Sequence, residues 1–170
     1  MSVITPALLQ RILDGYRLPP RGTHGLTHWA RVLENGRRLA PASGADLHVV
    51  ELFSVFHDAR RMNEAVDNGH GWRGLKLARK LRGRFFELEE EQFALLEQAC
   101  GYHTSGRTEA DPSVQVCWDA DRLDLLRVGI RPRPDRLCTE AARDPALLDW
   151  ANERALRRFV PALIREEWGL

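Results

Sequence analysis

The chain has 170 residues, 44% of them hydrophobic and 29% charged, which is the composition of a globular domain long enough to bury a core. Its formal net charge of +1 argues against general binding to nucleic acids or membrane surfaces, because no overall field draws the chain to phosphates. The three cysteines lack C-x-x-C spacing, and no secretion signal or membrane-spanning stretch is visible, so we expect free thiols in one cytoplasmic domain over residues 1–170. We expect neither a membrane partner nor a specific nucleic acid partner.

Helical periodicity begins near the N-terminus and continues along most of the chain. Thr5 and Pro6 have the properties of an N-cap and a first-turn proline, which predicts a helix extending to about Tyr16. After a proline-rich break, apolar residues recur at helical spacing from Trp29 to Ala40 and predict a second helix with one buried stripe. Residues 41–44 contain proline and glycine and predict a turn.

The next segment, residues 46–58, is apolar on most sides and predicts the central helix of a bundle, with His48, Glu51 and Ser54 as a narrow polar edge. Further helical patterns follow over residues 72–81, 93–100 and 114–128, and again between residues 135 and 170. The carboxylates of residues 87–91 suit the positive end of a helix dipole. Because no stretch alternates in the way that strands do, the predicted fold class is all-α, a single-domain helical bundle.

The pair His57-Asp58 lies between His28 upstream and Asp121 downstream, and imidazole and carboxylate together suit a hard or borderline divalent metal. The dipeptide alone is weak evidence, because it arises easily by chance. His28, His57 and Asp121, however, each continue an apolar stripe, so each is expected to point into the bundle. Isolated buried carboxylates are costly, and metal sites in helical bundles are built from such inward side chains. Helical phase leaves open whether Asp119 or Asp121 faces the site.

Three segments contain these residues in order: 24–32 (HGLTHWARV), 56–58 (FHD) and 118–124 (WDADRLD). Together they resemble the HD-domain superfamily of metal-dependent phosphohydrolases, whose pattern is a first His followed by Arg-Val, a His-Asp pair, and a late Asp in an Ala-Asp-x-Leu context. The resemblance covers about the first 130 residues. It implies an HD-type helical bundle with a metal-site core over about residues 24–130, on which the helices of residues 135–170 pack.

The resemblance also implies one divalent metal ion, which could be Mn, Mg, Co, Ni, Fe or Zn. The implied ligands are His28, His57, Asp58 and Asp121. Asp121 is chosen because it directly follows an alanine, as the pattern requires.

Two further histidines, His70 and His103, lie in the intervals where superfamily members with two metals carry additional histidines. In those members the Asp of the His-Asp pair bridges the two ions. His70 and His103 could therefore hold a second metal or contact the scissile phosphate. The alternative is that they are an ordinary loop histidine and an ordinary core histidine. We expect Asp58, His70 and His103 to be the catalytic residues.

Basic residues near the pair are candidates for contacting a substrate. Arg60 and Arg61 directly follow it and could clamp a phosphate bidentately, although they could equally cap the end of a helix. The basic residues between 76 and 84 are expected to form a solvated helix face.

Two more residues are assigned to the substrate site. Arg122 lies inside the late motif and could pair with Asp119 or Asp58. His24 lies one turn before His28, where it could support that residue if the helix has already begun.

The expected function is hydrolysis of a phosphomonoester or phosphodiester in a small phosphorylated substrate, with nucleotides as the leading class. A bound metal lowers the pKa of its water from near 16 toward about 7, which supplies hydroxide at neutral pH. Asp58 could orient that water or take its proton, while His70, His103 or an arginine stabilises the phosphoryl charge. The alternatives are an HD-type di-iron oxygenase, which the additional histidines would allow, and a non-catalytic nucleotide-binding domain.

Overall fold

The computed structural model describes residues 2–170, and within them it contains nine α-helices and no β-strand. The helices, in chain order, are α1 (Pro6–Leu13), α2 (Leu26–Ser43), α3 (Leu47–Phe56), α4 (His70–Leu81), α5 (Glu90–Tyr102), α6 (Pro112–Arg122), α7 (Glu140–Arg143), α8 (Pro145–Leu156) and α9 (Leu163–Glu166). Two short 3-10 helices, Leu125–Val128 and Pro134–Arg136, lie between α6 and α7. The prediction of an all-α helical bundle is confirmed.

Side-chain caps explain where several helices begin. The Thr5 hydroxyl accepts a hydrogen bond from the Leu8 N–H at 3.1 Å, as the predicted N-cap should. Asp46 caps α3 in the same way by accepting from the Val49 N–H at 3.1 Å. Glu89 forms a capping box at the start of α5, within the acidic segment expected there.

Two predicted helix ends differ from the structure. Helix α1 ends at Leu13 instead of near Tyr16, because a glycine lies in the turn that follows and disfavours a helix. The predicted turn at residues 41–44 is wrong, since α2 continues past Pro41. A proline in the last turn costs the helix one backbone hydrogen bond, and the helix is capped by Gly44, whose φ of 67° is left-handed.

Helix α3 is the centre of the bundle and is more deeply buried than the sequence indicates. His48 is exposed as expected, but Glu51 and Ser54 are only 2% and 0% exposed, so the predicted polar edge is wrong for both. The reason is that the N-terminal segment and α2 cover this side of the helix. The Glu51 carboxylate accepts from the Val3 N–H at 2.9 Å and from Arg37 Nη2 at 2.7 Å.

The helices that carry the candidate ligands pack against one another. Helices α2, α3 and α6 are in mutual contact, and α4 and α5 pack on α3. A methyl group at Gly36 would overlap the Val50 side chain, so the glycine lets α2 approach α3 closely.

The single helix predicted for residues 114–128 is divided in the structure. Helix α6 ends at Arg122, and the chain tightens into the 3-10 helix Leu125–Val128, against which α8 packs. The division places Asp124 inside the protein, where Arg31 binds it, instead of on a continuing helix.

Cys100 and Cys117 are buried free thiols and Cys138 is a half-buried free thiol, as expected from the cysteine spacing. Within residues 2–170, no helix combines the length and the apolar character needed to cross a membrane.

Candidate metal centre

Five helices bring six ligand-type side chains to one place. His28 lies in the first turn of α2, and Asp121 lies in the last turn of α6. His57 caps the C-terminal end of α3 and is followed at once by Asp58. The two remaining side chains come from α4, whose first residue is His70, and from α5, whose C-terminal cap is His103. All of them are buried except Asp121, whose side chain is 16% exposed.

The first group consists of His28, His57, Asp58 and Asp121. His28 Nε2 lies 3.1 Å from His57 Nε2, 3.5 Å from Asp58 Oδ2 and 3.3 Å from Asp121 Oδ1. His57 Nε2 lies 3.6 Å from each of the same two carboxylate oxygens. Ligand atoms bound at about 2.1 Å to one ion at octahedral or tetrahedral angles lie about 3.0–3.4 Å apart. These separations therefore suit a common cation.

The second group shares Asp58 with the first and adds His70 and His103. Asp58 Oδ1 lies 3.1 Å from His70 Nε2 and 3.8 Å from His103 Nε2, and the two imidazole nitrogens are 2.9 Å apart. The two oxygens of Asp58 thus face different histidine pairs. Each of the groups His28–His57–Asp58 and Asp58–His70–His103 could hold a metal ion.

Nδ1 of each of the four imidazoles is hydrogen-bonded to an acceptor that belongs to neither group of candidate ligands. The acceptors are the Asp124 carboxylate for His28 at 2.7 Å, and the carbonyl oxygens of Phe53 for His57 at 3.1 Å, of Asp67 for His70 at 2.6 Å and of Cys100 for His103 at 2.8 Å. Because a carbonyl oxygen can only accept, Nδ1 carries a proton in His57, His70 and His103, and an ionised Asp124 carboxylate requires the same of His28. In the neutral form of each ring, Nε2 therefore presents its lone pair to the cluster. Facing lone pairs repel unless a cation lies between them. The imidazoles are therefore held in the orientation that a metal requires.

The protonation of the cluster follows from burial and from its carboxylates. Burial would raise the pKa of Asp58, but the surrounding imidazoles hold it well below its usual range, and the same is true of Asp121. Burial lowers the pKa of His57 to about 3 and also lowers the pKa of His103. Burial would lower the pKa of His28 too, but three nearby carboxylates outweigh it and raise the value to about 9. Without a metal, a proton on His28 thus takes the position of the cation.

Asp124 and Arg31 form a buried ion pair that contacts His28 on its Nδ1 side, and this pair is called the anchor of His28 below. Arg31 donates to the Asp124 carboxylate from Nε at 2.7 Å and from Nη2 at 3.0 Å, which is a bidentate pair, and both side chains are buried. Both residues belong to the motif segments, but the pattern by itself predicts a role for neither. The available signal was their spacing, because Arg31 lies three residues after His28 and Asp124 three residues after Asp121.

Two glycines bring α4 close enough for His70 to reach Asp58. A methyl group at Gly71 would overlap the Cys100 carbonyl and crowd the ring of His103. A methyl group at Gly74 would overlap the Phe56 carbonyl at the end of α3. The lack of side chains at these two positions sets the approach of α4 to α3 and α5.

The other residues predicted for the substrate site differ in their distance from the cluster. Arg61 is at the cluster, because its Nη1 lies 3.7 Å from Asp58 Oδ1 and 3.3 Å from His70 Nε2. Arg60 is not at the cluster, because its guanidinium donates to the carbonyls of Ile12 and Ala59 at 3.0 and 2.7 Å.

His24 lies before the start of α2, and its ring is 6.3 Å from that of His28. Its Nδ1 is 2.5 Å from the Glu64 carboxylate, which had not been expected from the sequence. His24 is thus beside the cluster without sharing a helix face with His28.

Arg122 is not paired with either carboxylate that the sequence offered it. Its guanidinium donates to the carbonyls of Arg136 and Arg107 and lies over the ring of Trp118. The Asp119 carboxylate is occupied by the N–H groups of residues 138 and 139 at 2.7 and 2.9 Å. The predicted pairing of Arg122 therefore does not form, because the segment after α6 folds back over both side chains.

Tyr16 is a further polar residue near the cluster, and no sequence pattern indicates it. Its hydroxyl is buried and has no hydrogen-bond partner within residues 2–170. Burial and the carboxylates of Glu64 and Asp58 raise the pKa of Tyr16, so it remains a hydrogen-bond donor next to the cluster.

Comparisons of the chain with protein-family models, with curated proteins and with solved structures found no match.

Proposed function

We propose that this chain is a metal-dependent phosphohydrolase of the HD type, acting on a phosphomonoester or phosphodiester bond of a small substrate such as a nucleotide. The observation that carries the proposal is that the Nε2 atoms of four histidines lie 3.1 to 3.8 Å from the Asp58 carboxylate, while Nδ1 of each ring is held by an acceptor outside the cluster. Ionised carboxylates and neutral imidazoles are ligands for a divalent ion of the Mn, Mg, Co, Ni, Fe or Zn type. The chemistry that such an ion supplies is acidification of a bound water and polarisation of a phosphoryl oxygen.

The residues of the chain have separate tasks in this proposal. His28, His57, Asp58 and Asp121 hold the ion, and the Arg31–Asp124 pair keeps His28 in its donor orientation. Asp58 is ionised and lies between the two histidine pairs, so it can accept a proton from a water placed there. Buried at 2% exposure, Asp58 does this away from bulk solvent.

His70, His103 and Arg61 act on the substrate side of Asp58. Burial would lower the pKa of His70, but Asp58 raises it, which favours the ring protonated at both nitrogens. In that form Nδ1–H stays bonded to the Asp67 carbonyl and Nε2–H can donate to a phosphoryl oxygen. Arg61 supplies a fixed positive charge within 3.7 Å of Asp58. His70 and His103 could instead hold a second metal ion, which would leave Arg61 as the main contact to the phosphate.

A second candidate function is an HD-type di-iron oxygenase, which the same arrangement allows. Asp58 is shared by two histidine pairs, and this arrangement could hold two iron ions as well as two hydrolytic ions. The two candidates differ in what they consume, since the oxygenase requires dioxygen and the hydrolase requires water.

The test is an anaerobic and aerobic activity screen of the metal-free protein reloaded separately with Mn, Mg, Co, Ni, Fe and Zn. The substrates are bis-p-nitrophenyl phosphate, p-nitrophenyl phosphate and a panel of nucleotides, and bound metal is measured by mass spectrometry. We expect phosphate or nitrophenol release without oxygen, abolished in Asp58→Ala and retained in Asp149→Ala, an exposed aspartate on α8 that serves as the matched control. Full activity of Asp58→Ala would refute the proposal. Oxygen consumption by the iron form without any ester hydrolysis would favour the oxygenase.

A further inference from the structure

A basic cavity of about 830 Å³ lies beside the metal centre, between α1, the turn after it, the residues that follow Asp58, and one side of α4. Seven arginine and lysine side chains line it, whereas Asp14 is the single acidic residue in the lining among residues 2–170. The whole chain carries a net charge of only +1, so this concentration of positive charge is local. A concave surface with one sign of charge focuses the field on an oppositely charged ligand.

Several of these cations have no carboxylate to neutralise them. Within residues 2–170, no Asp or Glu oxygen lies within 4.0 Å of the charged nitrogens of Arg17, Lys76 or Lys80. On the other side of α4 the situation differs, since Arg79 is paired with Glu97. The helix therefore keeps its unpaired charges on the cavity side.

The cavity and the metal centre share residues. Arg61 lines the cavity and also lies 3.7 Å from Asp58 Oδ1. Tyr16 lines the cavity as well, and its buried hydroxyl has no partner within residues 2–170. A buried donor without an acceptor is costly, and a phosphate oxygen would satisfy it.

We propose that this cavity binds a chain of three or more phosphates, as found in a nucleoside triphosphate or in inorganic tripolyphosphate. Arg61 and Tyr16 then hold the end of the chain nearest Asp58, and Lys76 and Lys80 hold the other end. The statement that such a chain is hydrolysed rests on the proposed function, whereas the statement that it binds does not.

The number and arrangement of the cations favour this ligand over the alternatives. Three of the seven cations, Arg11, Arg61 and Arg73, lie beside the carboxylates of Asp14, Asp58 and Asp67. The four that remain carry more positive charge than one phosphate dianion neutralises, and they line a cavity of about 830 Å³. This volume lies within the usual range for small-molecule sites. A nucleic acid strand would need a positive track that continues past the cavity, and a chain with a net charge of +1 does not offer one in general.

The test measures binding by titration calorimetry with the full chain after metal has been removed and the chelator dialysed away. The probes are orthophosphate, tripolyphosphate, adenosine monophosphate, adenosine triphosphate and a short single-stranded oligonucleotide. The variant Lys76→Glu/Lys80→Glu is compared with Arg84→Glu/Arg131→Glu, which makes the same change in charge at two exposed arginines outside the cavity lining. Thermal melting verifies that both variants are folded.

We expect tripolyphosphate to bind the natural chain at least about tenfold more tightly than orthophosphate, because more ion pairs form. The cavity variant should lose about tenfold in tripolyphosphate affinity, and the control less than about threefold. Whether adenosine triphosphate or tripolyphosphate binds more tightly identifies the source of the phosphate chain, and either order supports the proposal.

Three outcomes would overturn the inference: equal affinity for orthophosphate and tripolyphosphate, equal losses in the two double variants, or tighter binding of the oligonucleotide than of tripolyphosphate. Failure of the proposed function has a different signature. In that case the metal-free protein binds tripolyphosphate as expected, but no metal-loaded form hydrolyses any phosphate ester. If hydrolysis of triphosphates occurs and the cavity variant has an unchanged KM for them, the function stands and the cavity assignment is wrong.

Discussion

The two sides of Asp58 differ in charge and in support. On the Oδ2 side, His28 and His57 are joined by a second carboxylate, that of Asp121, and all three come from helices that pack against one another in the core. On the Oδ1 side, His70 and His103 share one carboxylate oxygen with Arg61, whose guanidinium is 3.7 Å away.

This difference in charge indicates which side would hold a cation more tightly. Two carboxylates balance the charge of a divalent ion, whereas a neighbouring guanidinium opposes it. We therefore expect tight metal binding on the Oδ2 side and weaker metal binding, or phosphate contact, on the Oδ1 side. Substitutions confined to one side can therefore be compared with the other side in the same protein.

The largest effect is expected for Asp121→Ala, which removes the second carboxylate of the Oδ2 side. The affinity for the first metal ion should fall by more than about 100-fold, beyond the loss caused by removing an outer partner of a ligand. Competition with a metal-sensitive dye measures the affinity of the variant for the first metal ion.

Asp119→Ala is the matched comparison for Asp121→Ala. Asp119 is buried but bonded to the backbone of residues 138 and 139, so its removal should lower stability by about 1–3 kcal/mol and leave metal affinity unchanged. A greater loss of metal affinity in Asp119→Ala than in Asp121→Ala would show that the Oδ2 side is wrongly assigned.

His70→Ala should break the Oδ1 side alone. The protein should keep one tightly bound ion, while activity on phosphate esters falls by about 10- to 100-fold because a contact to the phosphoryl oxygens is lost. Metal content and kcat are measured on the same sample. Loss of the tightly bound ion in this variant would mean that the two sides are not separable.

Asp124→Asn weakens the anchor of His28 without removing a ligand. The bidentate pair with Arg31 is lost, and the affinity for the first ion should fall by about tenfold. The Oδ1 side should be unaffected, which the KM for substrate reports. An unchanged metal affinity would show that the Arg31–Asp124 pair serves only stability.

The smallest expected effect is a gain in metal affinity, whereas the ligand and anchor substitutions above lower it. Arg61→Gln removes the cation that competes at Asp58 Oδ1, so binding of a second ion should strengthen by about threefold while KM for a phosphorylated substrate rises. A calorimetric titration of protein already loaded with one ion distinguishes the two sites. Weaker binding of the second ion would indicate that Arg61 positions His70 instead of opposing the metal.

Much of the fold could be predicted because apolar spacing is a local signal. The stripes around His28, His57 and Asp121 placed these side chains inward, and the structure brings all three together. Helical phase could not separate Asp121 from Asp119, since both are on the inner side of α6 and only the fold of the following segment decides which carboxylate is left for the cluster.

What could not be predicted depends on contacts between distant segments. Glu51 looks solvated within α3, but Val3 and Arg37 cover it. The basic side of α4 is, in sequence, indistinguishable from a solvated helix face. It becomes part of a cavity only because α1 and Arg60 lie opposite, and no local pattern encodes that arrangement.

The glycines at 71 and 74 give the centre a sensitivity that its donor atoms do not reveal. An alanine at either position would push α4 away from the backbone of α3 or α5, and the imidazole of His70 would withdraw from Asp58 although every ligand remained in the chain. The distance between His70 and Asp58 thus depends on how closely the backbone of α4 can approach α3 and α5. A change of a single methyl group could convert a centre with two halves into a centre with one.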